Sequence, residues 1–70
     1  MTTYIRHQIV SDAEAYSHIR QILECFKTNG RKFMSKLIAV EPEYFVFETS
    51  TGLVMRNRKE NIASMKAVGT

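Results

Sequence analysis

A single cysteine, Cys25, in a chain of only 70 residues constrains the fold more than any other feature. A domain this short removes roughly 60% of its unfolded surface from water. A lone core of that size supplies about 3–5 kcal/mol unless something else holds it. The usual supports are disulfides, a structural metal or partner subunits. One cysteine excludes an internal disulfide framework and any multi-cysteine zinc site. A well-packed core or oligomerisation is left. Hydrophobic residues at 44% and charged residues at 24% are ordinary globular usage, which argues against a disordered chain. No apolar run approaches the ~18 residues of a membrane span. Arg6 and His7 interrupt the first ten positions, so no signal peptide is read there and a cytoplasmic protein is expected.

The chain divides into a first part with helical spacing and a second part with strand spacing. Ser11-Asp12-Ala13-Glu14 has the form of a capping box, a Ser that can accept an early backbone N–H and a Glu three residues on. Ala15, Tyr16, Ile19, Ile22, Leu23 and Phe26 then recur at spacings of three and four, one apolar stripe. Asn29-Gly30 offers a left-handed stop, and Lys27 a cation for the last turn. These signals predict a helix over 12–28. After Gly30 the period changes. Phe33 to Val40 predicts a strand with imperfect alternation. Tyr44 to Thr49 is aromatic and β-branched, a strong strand. Glu41-Pro42-Glu43 sets a turn before it, because Pro42 lacks a ladder N–H. Ser50-Thr51-Gly52 turns into a returning strand, Leu53 to Asn57, and Ile62 to Val68 is the last strand. Residues 1–10 read as either a further strand or an ordered arm. The expectation is one domain over 1–70, mostly β with one N-terminal helix. Residues 31–68 would form a strongly bent antiparallel sheet of about five strands, closing into a small barrel with the helix across one open end.

Charge is distributed unevenly. The net charge of +3 permits nucleic acid as a partner without demanding it. Arg56, Arg58 and Lys59 fall within four positions, and Lys27, Arg31, Lys32 and Lys36 form a looser group. Nothing resembles a nucleophile–base pair or a phosphate-cradling glycine loop, so no enzyme and no cofactor are read. Glu14, His18 and Cys25 recur along the predicted helix, but a structural zinc site needs a fuller ligand set. Cys25 borders the apolar stripe and reads as a buried small hydrophobe.

The order of elements resembles the Sm-like (LSm/Hfq) family. Its first motif, Gly-x-Leu-x-x-x-Asp-x-x-Met-Asn-Leu, meets Ser35-Lys36-Leu37-Ile38-Ala39-Val40-Glu41-Pro42-Glu43-Tyr44-Phe45-Val46 without gaps. Leu37 and Val46 match its apolar positions and Glu41 stands at its Asp. Ser35, Tyr44 and Phe45 replace Gly, Met and Asn. The second motif, apolar-Arg-Gly-(Asp/Asn)-x-apolar, meets Asn57-Arg58-Lys59-Glu60-Asn61-Ile62. Arg58 and Ile62 match, Glu60 keeps the acid, and Lys59 replaces Gly, although the bacterial Hfq turn is basic at this position. Small phage-encoded relatives vary in the same way. The resemblance covers about residues 11–68.

What the resemblance implies is a homo-oligomeric ring of five to seven subunits, joined between its fourth and fifth strands and binding single-stranded RNA, with U-rich and A-rich sequences as the alternatives. Leu53 to Asn57 and Ile62 to Val68 carry few charges that would block such edge pairing. Tyr44 would stack a base, Arg58 would stack on a base face, Lys59 would meet phosphate, and with Arg56 they would focus positive charge around a pore. In some members the helix face of the ring also binds RNA, which would suit Lys27, Arg31, Lys32 and Lys36 near the predicted helix end. Phe45 and Phe47 share a strand face and read as core or subunit interface. Met34, Met55 and Met65 read as fillers of core or interface. A rival reading is a structural or protein-interaction ring without RNA. It rests on Phe45 at the family's Asn, Lys59 at its Gly, and the acids Glu41 and Glu43 beside the base site.

Overall fold

The computed structural model describes residues 6–9 and 11–68. In chain order the elements are β1 (Arg6–Ile9), α1 (Asp12–Ser17), β2 (Ile22–Lys27), β3 (Lys32–Val40), β4 (Tyr44–Glu48), β5 (Val54–Arg58), one 3-10 turn (Lys59–Asn61) and β6 (Ile62–Val68). All pairings are antiparallel, in one sheet of order β1-β6-β2-β3-β4-β5. The mostly β class, the presence of one helix before the sheet's main strands and the last four strands agree with the sequence reading. Arg6–Ile9 takes the strand alternative, while Tyr4 and Val10 lie outside the described residues.

Two expectations are corrected. The helix does not run over 12–28. It ends at Ser17, and Ile22 to Lys27 is the strand β2. Ser11 does cap it, its Oγ accepting from the Glu14 N–H at 3.2 Å. The backbone then reverses through Arg20, a non-glycine at φ 74°. Arg20 N–H donates to Leu37 O and Leu37 N–H to Gln21 O, which holds that reversal. Leu23 and Cys25 are both fully buried and Glu24 between them is buried as well, so it is the ladders to β3 and β6, not a burial pattern, that mark this stretch as a strand. Asn29-Gly30 is therefore a hairpin turn between β2 and β3. Gly30 takes φ 88°, and Asn29 Oδ1 accepts from the Arg31 N–H at 3.0 Å.

The second correction is that the sheet stays open. No ladder joins β5 to β6 or to β1 among the described residues, and β1 occupies the flank of β6 from Met65 to Val68. The strand expected as a free edge, Ile62 to Val68, is thus flanked on both sides over that stretch.

The sheet nonetheless bends. One register shift falls between Leu37 and Ala39, another between Phe26 and Lys27. A bulge adds a residue to one strand and increases its local twist and bend. The first shift explains the imperfect alternation of β3, because Leu37 and Val40 both turn inward although they are three apart. The inner face carries Leu23, Cys25, Leu37, Phe45, Phe47 and Met65, with Ile9 and Ala15 closing over it. Phe47 is fully buried and meets Phe33 edge to face, with ring centroids 5.3 Å apart. Phe45 and Phe47 are core, and Met65 joins them, whereas Met34 and Met55 are exposed. Helix α1 is fixed to the sheet by Tyr16, whose hydroxyl donates to Val40 O at 3.0 Å.

Candidate nucleic-acid interface

The two basic groups read from the sequence lie on different parts of the sheet and differ in electrostatic state. Tyr44 opens β4 and stands opposite Arg58 on β5. The guanidinium of Arg58 lies 5.6 Å from the centre of the Tyr44 ring, a cation–π contact, and 3.6 Å from a Glu60 oxygen. Arg56, two residues earlier on the same strand face, holds Glu41 in a two-point contact, Nε to Oε1 at 3.0 Å and Nη2 to Oε2 at 3.4 Å. Tyr44, Arg56 and Arg58 are therefore brought together. Lys59 is not with them. It turns inward, donates to Asp12 Oδ2 at 2.7 Å and stands 5.2 Å from the centre of the Phe45 ring. Its side chain is 20% exposed, so it ties the 3-10 turn to α1 rather than facing a ligand.

The positive charge expected at 56–59 is thus matched locally. Glu41, Glu60 and Asp12 answer Arg56, Arg58 and Lys59 one for one. Exposed pairs of this kind are worth about 0–1 kcal/mol. Arg56 and Arg58 can exchange a carboxylate for a phosphate at little cost, while the enclosed Lys59 pair is the harder one to open.

The second group is not near a helix end. It lies at the β2–β3 hairpin, because Lys27 ends β2, Arg31 is in the turn, and Lys32 and Lys36 are on β3. Lys32 is the register partner of Phe26. On its other side Phe26 faces Ser64 of β6, and the Lys66 ammonium stands 5.4 Å from the centre of the Phe26 ring. With Leu23 and Cys25 inward, alternation sends Phe26 outward, where it is half-buried. Arg31 and Lys32 are exposed and make no ion pair with another described residue. Lys36 lies 3.8 Å from Glu48, and Lys27 stands 5.9 Å from the centre of the Phe33 ring. The sheet face of β6, β2 and β3 therefore offers an aromatic ring beside Lys32 and Lys66, with the carboxylate residue Glu24 standing as the register partner of Lys66. Ile22 and Met34 extend it as exposed apolar residues.

Phe26 and Lys66 were not found from the sequence. Phe26 reads as part of a helical stripe, and Lys66 stands alone in a short strand. Reading Asn29-Gly30 as a hairpin turn would have made Ile22–Lys27 a strand and sent Phe26 outward, although its pairing with Lys32 follows only from the three-residue loop 28–30 closed by Lys27 N–H donating to Arg31 O at 2.7 Å, and Lys66 has no such local signal.

The remaining candidates are structural. Cys25 is fully buried, and burial, reinforced by Glu24 beside it, pushes its thiol up to about 12. It belongs to β2, so it shares no helix side with Glu14 and His18. His18 Nδ1 pairs with Gln21 Oε1 at 2.8 Å. No group of three or more His, Cys, Asp or Glu residues stands ready to hold a metal among the described residues. Glu41 and Glu43 bracket a tight turn, in which Glu41 N–H donates to Tyr44 O at 2.9 Å. Comparison with protein-family models, curated proteins and solved structures gives no match.

Proposed function

We propose that this chain is a single-stranded RNA-binding protein of Sm-like type that acts as a homo-oligomer. The observation that carries the reading is Phe26, an outward aromatic ring beside Lys32 and Lys66 with Arg31 at the hairpin tip. Every base offers a π-face, and stacking on an aromatic side chain contributes about 1–3 kcal/mol whatever the sequence. Cations spaced around such a ring meet the phosphates on either side of the stacked base. Tyr44 with Arg58 repeats the pairing at the other end of the sheet, and Arg56 adds a second exchangeable guanidinium there. Binding through these groups depends on salt and is tolerant of sequence. A U- or A-rich preference belongs to the family resemblance.

Assembly is supported by β5. It is an edge strand, and Leu53 just before it and Val54 and Met55 on it are 65%, 60% and 45% exposed. A bare apolar edge is a pairing template that a stable protein must cover. A second copy joined head to tail covers it, and a closed cycle covers every edge. The five to seven subunits of the resemblance would meet this need.

A second reading, an assembly without RNA, is favoured by one observation: each cation of 56–59 has its own carboxylate. Titration of a labelled uridine-rich and a labelled adenine-rich RNA by fluorescence anisotropy separates the two. RNA binding that weakens on Arg31→Ala with Lys32→Ala supports the first. An oligomer that leaves both RNAs free at low salt supports the second.

A further inference from the structure

Beyond Phe26 the outer face of the β2–β3 ladder carries two bare hydrophobics. On this face the register pairs Phe26 with Lys32, Glu24 with Met34 and Ile22 with Lys36. Ile22 is 55% and Met34 56% exposed, whereas Glu24 beside them is buried. Phe26 and Met34 are diagonal neighbours, and so are Met34 and Ile22, a spacing of about 7–8 Å. A groove of about 530 Å³ runs along Ile22 and Met34, lined as well by Lys36 and the turn at residues 49–52. That is within the range of small-ligand sites, about 300–1,000 Å³. The turn is held by its own bonds, Gly52 N–H donating to Thr49 O at 2.9 Å and Leu53 N–H to Thr49 Oγ1 at 3.1 Å. Lys32 and Lys36 flank the apolar pair, with Arg31 at the hairpin tip. The acids nearby are the buried Glu24 and Glu48, which lies 3.8 Å from Lys36.

We infer that this groove is a second base site, taken by the nucleotide next to the one on Phe26, so that one subunit holds two consecutive bases of a single strand apart from each other. The site rests on the RNA reading above and adds the course of the strand. Three observations carry it. The groove continues the Phe26 surface, since Met34 is the diagonal neighbour of that ring. Its floor is apolar and its flanks are cationic, which suits a base with a phosphate on either side. The diagonal spacing of about 7–8 Å is twice the rise of a duplex strand, about 3.4 Å per nucleotide. Bases at Phe26 and at Met34 are therefore unstacked from each other, and each lies on its own side chain. A duplex, whose base faces are covered by their neighbours, offers neither position a partner. The face thus selects single strands whose bases can splay, and it does so by shape rather than by base identity.

Methionine methyl NMR reads the groove without altering it. Met34 lies in it, and Met65, at 3% exposure in the core, is the internal control. The Met34 signal is assigned with Met34→Leu, a uridine RNA of about six nucleotides is added, and binding is followed in parallel by fluorescence anisotropy. A base over Met34 should move its methyl signal through the ring current and leave Met65 in place. Ile22→Ser with Met34→Ser, at two exposed positions, should lower the affinity roughly fivefold, equivalent to about 1 kcal/mol, and leave the salt slope unchanged. RNA that binds and leaves the Met34 signal unmoved overturns the second site and leaves the RNA reading standing. A Met34 signal that moves with protein concentration in the absence of RNA makes the groove a contact between copies and also overturns it. RNA that does not bind at low salt overturns both.

Discussion

Replacing Arg31 and Lys32 together by alanine removes two of the three cations grouped about Phe26, leaving Lys66. Each phosphate neutralised by a cation on a single strand contributes about −0.7 to the slope of log affinity against log salt. The three cations about Phe26 contribute about −2.1 to the slope, a factor of about 18 between 50 and 200 mM salt, beside any contribution of Arg56 and Arg58. With Lys66 alone the contribution is about −0.7, a factor of about three, so the variant's slope is shallower than the wild type's by about 1.4. Neither side chain is in the core and neither makes an ion pair with another described residue, so the variant should fold as the wild type does. The assay is fluorescence anisotropy with a uridine probe of about six nucleotides, within the range that one small β-domain covers. Tyr44→Ala is the contrasting variant, since loss of a stacked base lowers affinity at every salt concentration and leaves the slope unchanged. A slope that is the same in wild type and the Arg31/Lys32 variant would refute the reasoning, because it would put the phosphates elsewhere.

Other outcomes follow from the core and its polar exceptions. Phe47→Ala, at a fully buried ring in edge-to-face contact with Phe33, should destabilise by about 3–5 kcal/mol. At this chain length that is comparable with the whole stability, so its circular dichroism should be that of an unfolded or barely folded chain at 25 °C. Asn57 Nδ2 is buried without a hydrogen-bond partner among the described residues, opposite Phe45. Asn57→Leu should therefore raise the urea midpoint, since an unsatisfied donor costs about 1–3 kcal/mol. The Cys25 thiol, at about 12 in the fold against 9.0 ordinarily, makes stability fall with pH between those values. There the unfolded chain releases a proton that the folded chain keeps. Below 9 this group adds no pH dependence. Thiol labelling at pH 8 should proceed only as fast as the chain opens, and labelling at the rate of a free cysteine would contradict the burial.

The later strands were legible because each is bounded by a local signal. Pro42 forces the turn between β3 and β4, Gly52 takes φ 88° between β4 and β5, and Ile62 to Val68 alternates. Ser11 was legible as a cap for the same reason. The stretch from Ile22 to Lys27 was not, because Ile19, Ile22, Leu23 and Phe26 satisfy helical spacing while Leu23 and Cys25 satisfy strand spacing. Locally the two tie. The sheet decides between them, since β2 is the strand that pairs β3 on one side and β6 on the other. The turn at Asn29-Gly30 is the local signal for it, and the β6 pairing adds the long-range half. The site divides in the same manner. Tyr44 and Arg58 could be named from the sequence, but the carboxylates that answer the nearby cations could not. Glu41 is 15 residues from Arg56, and Asp12 is 47 residues from Lys59. Phe26 and Lys66 come together only across the β2–β6 pairing, which the helical reading of Phe26 conceals.

The cationic aromatic face and the bare β5 edge make one joint claim, that RNA is bound by an assembly of this chain. Light scattering on a sizing column, over a range of protein concentrations and with or without a short uridine-rich RNA, tests it most directly. The account predicts a mass that climbs with concentration to a closed set of five to seven subunits. It also predicts a further rise with RNA that is lost in the Arg31→Ala, Lys32→Ala variant. A single-subunit mass at every concentration, unchanged by RNA, would contradict it.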